Sequence, residues 1–138
     1  MKRFFLLTLA SAALLGASAA PVKTYEVKSP DGRLALVLTA GERLSFTVAR
    51  DGETLVAPSE MALTLSTGEV LGESPRVRSA RRRAVTETID APLYRQSRFD
   101  AAYNELDLRL RGDYGILARA YDDGVCYRFY TERDGALT

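Results

Sequence analysis

The stretch Leu117–Tyr130, Leu-Ala-Arg-Ala-Tyr-Asp-Asp-Gly-Val-Cys-Tyr-Arg-Phe-Tyr, constrains the fold more than any other part of the chain. Leu117, Arg119 and Tyr121 alternate with Ala118 and Ala120. Beyond Asp122-Asp123-Gly124, Val125, Tyr127 and Phe129 share one face, and Cys126, Arg128 and Tyr130 the other. Period-two alternation on both sides of Asp-Gly is the strongest short-range signal for a β-hairpin. Asp and Gly accept positive φ at low cost, so the signal predicts a left-handed conformation at Gly124. Asp122, Asp123 and Gly124 are accordingly read as a structural turn.

The same grammar runs along the chain. Tyr25–Lys28 is a first strand and Ser29-Pro-Asp-Gly32 a turn. Leu34, Leu36 and Leu38 share a face, while Ala35 and Val37 keep the opposite face apolar, which predicts cover on both sides. Leu44, Phe46 and Val48 repeat the alternation, and Asp51-Gly52 returns the chain into Leu55-Val56. Met61, Leu63 and Leu65 predict another strand before Thr67-Gly68. Val70–Pro75 reads as an irregular connection. Val77 and Ala84–Ile89 read as strands flanking an Arg-rich turn, and Ile89–Asp100, with Pro92, as loop. In Asn104–Arg111, Leu106, Leu108 and Leu110 face in, with Asp107, Arg109 and Arg111 facing out; Gly112-Asp113 then turns the chain back. Apart from the amino-terminal leader, no window sustains a helical period. Recurrent turns between short alternating runs predict an all-β chain, an antiparallel sandwich or barrel.

Met1–Ala19 stands outside this pattern. Lys2 and Arg3 precede the apolar run Phe4–Leu15, and Ala17-Ser18-Ala19 supplies small residues for cleavage. This is the composition of a secretory signal peptide, which predicts a mature chain from Ala20 and a periplasmic or secreted location. No further segment is apolar enough to enter a membrane. Loss of Lys2 and Arg3 takes Lys+Arg from 19 to 17 against 18 Asp+Glu, a net charge of −1. That balance argues against general binding to nucleic acid or anionic lipid. Cys126 is the only cysteine, and its strand position predicts a buried small hydrophobe.

Absences narrow the chemistry. With no His, the chain cannot build a His-based catalytic arrangement; with no Trp, it lacks the best sugar-stacking ring. Asp122-Asp123 could be a carboxylate pair, but glycosidase carboxyls face each other across the sugar, and adjacent turn residues diverge. A Ca2+ site needs about six or more oxygens, and no loop here supplies them. Tyr103-Asn104-Glu105 combines an aromatic ring with polar side chains and is the candidate for contact with carbohydrate; strand-entry bonding to backbone is the alternative. Arg76, Arg78, Arg81, Arg82 and Arg83 form a basic cluster, either a grip for anions or a charged edge that deters pairing. No catalytic or metal-ligating residue is assigned.

Arg119-Ala-Tyr-Asp-Asp-Gly-Val-Cys-Tyr-Arg-Phe129, with Tyr103-Asn-Glu-Leu106 one strand earlier, resembles the N-terminal domain of glycoside hydrolase family 97, and the likeness runs from about Val27 onward. The resemblance implies a β-sandwich larger than the present chain, so residues 20–138 are expected to form a partial, truncated domain. It implies a parent α-glucosidase or α-galactosidase whose catalytic groups lie on a following (β/α)8 barrel. Ca2+ is expected in that parent, held mainly by the barrel. The implied role here is non-catalytic: to pack on the barrel and help shape the carbohydrate site. The alternative is a free-standing exported β-sandwich that binds glycan or protein.

Overall fold

The computed structural model describes residues 21–93 and 97–135. The expected signal peptide, Met1–Ala19, lies outside them. Ten strands follow one another, all pairings antiparallel, with no helix among the described residues. β1 (Lys23–Lys28), β2 (Leu34–Ala40), β3 (Leu44–Arg50) and β4 (Glu53–Glu60) form one sheet in that order. β7 (Val77–Asp90), β8 (Arg98–Leu110), β9 (Tyr114–Ala120) and β10 (Val125–Thr131) form the second, with β7 and β10 at its edges. The short β5 (Leu63–Thr64) and β6 (Val70–Leu71) pair beside them.

Period-two leucines explain the stacking. Leu34, Leu36 and Leu38 of β2 bury on one face, and Leu106, Leu108 and Leu110 of β8 bury opposite, with Leu44 and Val48 of β3 and Ile116 of β9. Ala118 and Ala120, fully buried in β9, leave room for the larger residues facing them. Each fully buried leucine contributes about 1.5–3 kcal/mol relative to exposure. The other face of β2 is only half-buried at Ala35, Val37 and Thr39, so the expected double cover is partial.

Polar side chains bind the sheets where apolar packing ends. Arg82 of β7 donates through Nε to the Glu26 carbonyl at 2.9 Å, and Asn104 of β8 donates through Nδ2 to the Lys28 carbonyl at 2.9 Å. Both acceptors lie on β1, whose outer edge has no strand partner. At the loop Tyr121–Gly124, Asp122 Oδ1 accepts the Asp31 backbone N–H at 2.9 Å, joining the β9–β10 and β1–β2 turns.

The hairpin β9–β10 forms as expected, with Val125 opposite Ala120. The φ expectation fails: Gly124 is not left-handed, and the loop closes through the Tyr121 N–H bonded to the Gly124 carbonyl at 2.8 Å. A loop that includes Tyr121 spreads the reversal over more residues than a two-residue turn. Asp51-Gly52 and Gly112-Asp113 do take positive φ. The Arg-rich turn is also absent. Arg78 and Arg81–Arg83 lie inside the unbroken strand β7, whose solvated faces erase the apolar period that marks a strand. Likewise Ile89 and Asp90 end β7, and Arg98–Asp100 begin β8, so the expected loop is shorter. Met61, Leu63 and Leu65 do not share a strand: only Leu63–Thr64 pairs, while Met61 is buried and donates its N–H to the Leu44 carbonyl. Cys126 is exposed rather than buried, because it points outward from the edge strand β10.

Two glycines should therefore behave oppositely on substitution. A Cβ at Gly72 would sit 2.3 Å from the Met61 carbonyl oxygen, at φ +104, whereas nothing lies within 4 Å of one at Gly124. Gly72→Ala is expected to cost on the order of 1–3 kcal/mol or more, and Gly124→Ala less than about 0.5 kcal/mol. Denaturant unfolding of the two variants checks the contrast; equal losses would contradict it.

Candidate functional site

The outward face of the second sheet carries an ionic layer built on β8. Strand alternation that buries Leu106 and Leu108 turns Tyr103, Glu105, Asp107 and Arg109 to the other side. Glu105 is nevertheless only 3% exposed. Its Oε1 accepts Arg83 Nε at 2.6 Å from β7, and its Oε2 accepts Arg119 Nε at 2.8 Å from β9. Register places them there, since Arg83 and Arg119 are the direct cross-strand partners of Glu105. Arg119 also lies over the Tyr103 ring, 4.5 Å from its centroid, and Tyr121 packs on the same ring at 4.8 Å. The Tyr103 hydroxyl donates to Glu87 at 2.9 Å.

The electrostatics fix protonation states. Burial raises the Glu105 pKa, but the hydrogen bonds from Arg83 and Arg119 outweigh it and hold the carboxyl below its ordinary range. Burial raises the Tyr103 pKa, and the bond to Glu87 adds to it. Along the same face, Tyr130 donates to Asp107, and burial with that bond pushes its pKa up to about 12. Glu105 thus stays ionised with both oxygens engaged. It orders the arginines, and in its ionised state it has no proton to give as a general acid.

Of the three expected carbohydrate-proximal residues, Tyr103 and Glu105 share the outer face, and Asn104 points inward to the Lys28 carbonyl. The Tyr103 ring is 2% exposed under Arg119 and Tyr121. A shallow groove of about 250 Å³ opens beside them, lined by Glu26, Lys28, Arg82, Arg83, Asn104 and Glu105. Asp122 reaches a remote backbone amide rather than a local one. Among the described residues no three His, Cys, Asp or Glu side chains gather where they could hold a metal ion.

Sequence reasoning missed Arg83, Arg119, Tyr121 and Glu87 as partners. The Arg119 contact was countable: reversing the chain at Gly112-Asp113 sets Leu110 against Tyr114 and hence Glu105 against Arg119. Arg83 was not, because the β7–β8 turn gave no sharp signal.

Residues 27–137 match the family described as Glycosyl-hydrolase 97 N-terminal. The chain is 37% identical over 110 residues to a retaining alpha-galactosidase of Bacteroides thetaiotaomicron, covering 80% of this chain and 17% of that protein. A glycoside hydrolase family 97 enzyme from Pseudoalteromonas sp. strain K8, solved with panose and with acarbose, superposes at a TM-score of 0.71 with 17% identity. A beta-arabinopyranosidase superposes equally, at 20% identity. Each structural match covers 80% of this chain and 18% of the other, so the chain spans about a fifth of the length of these relatives.

The ionic layer yields a signed pH dependence. A carboxyl whose folded pKa lies below its unfolded value adds stability above the unfolded pKa and loses it as pH falls through the folded one. Glu105→Gln is expected to cost about 1–3 kcal/mol at neutral pH, and the gap to the unaltered chain should close on acidification below the ordinary carboxylate range. Chemical unfolding at stepped pH measures it; a cost independent of pH would remove Glu105 from this role.

Proposed function

The chain belongs to the glycosyl-hydrolase 97 N-terminal family, and from that premise we propose that it serves as the non-catalytic β-sandwich of an exported glycoside hydrolase. The observation that carries the non-catalytic reading is the state of Glu105, the one buried carboxylate among the described residues, ionised and locked between Arg83 and Arg119. Glycoside hydrolysis uses two carboxyls flanking the bond, one of them protonated as general acid. No such facing pair occurs in the groove beside Asn104, where Glu26 is exposed and pairs with Lys28 at 3.7 Å.

The parent enzyme in this reading acts on an α-glucoside or α-galactoside. The retaining alpha-galactosidase relative favours the second, and the panose and acarbose complexes favour the first. The Ca2+ expected of that enzyme would be held mainly by the barrel; among the described residues no set of carboxylates gathers that is fit for it. In this reading the sandwich packs on the catalytic barrel and helps shape the carbohydrate site, with Tyr103, Asn104 and Glu105 stiffening the sheet that carries them. The leader Met1–Ala19 supports export to the periplasm or beyond.

Purified chain incubated with nitrophenyl α-galactoside and α-glucoside, with and without Ca2+, is expected to show no turnover. Turnover that survives purification and vanishes in Glu105→Gln would overturn the reading. Intact mass of the exported product should correspond to a chain beginning at Ala20; a mass retaining Lys2 and Arg3 would refute cleavage after Ala19.

A further inference from the structure

Asp-Gly occurs at Asp31-Gly32, Asp51-Gly52, Asp123-Gly124 and Asp134-Gly135. The dipeptide is chemically weak, because a glycine has no Cβ to keep its backbone nitrogen away from the preceding side chain. That nitrogen attacks the aspartate Cγ: a C–N bond forms, a C–O bond breaks and one water leaves, closing a succinimide ring. Water then adds to either ring carbonyl and one C–N bond breaks. Opening at the side-chain carbonyl restores aspartate. Opening at the main-chain carbonyl leaves isoaspartate, in which the chain runs on through the side-chain carbon. The atoms at the end are those at the start, and nothing is oxidised or reduced. Two conditions govern the rate: a carboxyl free to lose its oxygen, and a glycine nitrogen free to turn on it.

The fold closes this route at two of the sites. One Asp31 oxygen accepts the Ser29 hydroxyl and the Arg33 N–H, and the Gly32 N–H donates to the Ser29 carbonyl at 2.9 Å. Both Asp51 oxygens accept from the Arg33 guanidinium, at 3.0 and 2.7 Å. These bonds hold both carboxyls below their ordinary pKa, Ser29 leading at Asp31 and Arg33 at Asp51. Neither readily takes the proton that lets its oxygen leave as water.

Asp123 has no such protection. It is exposed and accepts no hydrogen bond among the described residues. The Gly124 N–H donates none among the described residues, although the Gly124 carbonyl accepts the Tyr121 N–H at 2.8 Å. Nothing lies within 4 Å of a Cβ placed on Gly124, so the loop has room to turn. Asp134, exposed ahead of Gly135, shares this chemistry. Asp123 is set apart by what its neighbour holds: Asp122 Oδ1 accepts the Asp31 N–H at 2.9 Å, joining the β9–β10 loop to the β1–β2 turn.

We propose that Asp123 is a site of spontaneous isoaspartate formation, and that the modification unfastens the β9–β10 loop from the β1–β2 turn. Isoaspartate places one more backbone atom between residues 123 and 124, inside the loop Tyr121–Gly124. The loop then closes over a longer path, and Asp122 no longer aims at the Asp31 amide. The inference rests on contacts within this chain and stands independently of the proposed glycosidase parent.

The test ages the whole chain at physiological temperature and mildly acidic pH, then maps its peptides after labelling with an isoaspartyl methyltransferase. Label at Asp123 is expected to build at least about tenfold faster than at Asp31 or Asp51, the effect of one charge-assisted hydrogen bond on a rate. Arg33→Ala should raise the rate at Asp51, and Gly124→Ala should suppress it at Asp123. The isomerised chain, separated chromatographically, should exchange its Asp31 amide hydrogen faster than the unaltered chain. If Arg33→Ala fails to fold, the rates on the unaltered chain decide the matter. Equal rates at Asp123, Asp31 and Asp51, or no label at Asp123, overturn the proposal. An Asp31 amide that exchanges alike in both forms overturns the unfastening.

Discussion

A one-residue slip of β8 against β9 would turn Leu106, Leu108 and Leu110 to solvent and drive Glu105 and Asp107 between the sheets. Few constraints in the molecule are as severe, because both faces of β8 are specified: an apolar core on one and an ionic layer on the other. The register that buries the leucines also brings Arg83 and Arg119 to Glu105. Neither layer forms correctly without the other. Burying a lone carboxylate costs far more than one hydrogen bond returns, so the two guanidinium partners are what make the 3% exposure of Glu105 tolerable.

The two layers differ in what they contribute. Leucine burial is non-directional and supplies most of the driving force. The Arg83–Glu105–Arg119 bridge is directional, and its exposed Arg83 arm, 66% accessible, limits its net stabilisation. Its value lies in geometry: it holds three strands in one register and covers the Tyr103 ring with the Arg119 guanidinium. The outer sheet face becomes an ordered surface in which Arg83, Glu105, Arg119 and Tyr103 hold one arrangement.

The strands legible in the sequence were those with one wet and one dry face. β3 and the inner half of β8 alternate visibly because water lies mainly on one side, and Asp51-Gly52 and Gly112-Asp113 announced their turns through the positive φ they adopt. β7 was illegible for the opposite reason. Both its faces are largely solvated, so Arg81-Arg82-Arg83 looked like a turn while forming part of the longest strand. Gly124 misled because a longer hairpin loop shares the reversal among Tyr121, Asp122 and Asp123. Cys126 misled because alternation tells faces apart without telling which one meets the core. The Tyr103-Asn104-Glu105 segment drew notice as a carbohydrate-proximal candidate through its residue types alone, and its arginine partners come from strands whose register only the fold supplies.

The bonds from Arg82 and Asn104 to β1 end on main-chain carbonyls, not on the side chains of Glu26 and Lys28. A carbonyl is present whatever residue occupies the position. Substitution at 26 or 28 therefore leaves the seam between the sheets intact, whereas substitution at 82 or 104 opens it. Sequence drift along this seam should be one-sided, with β1 free to vary and the arginine and asparagine that reach across to it held fixed.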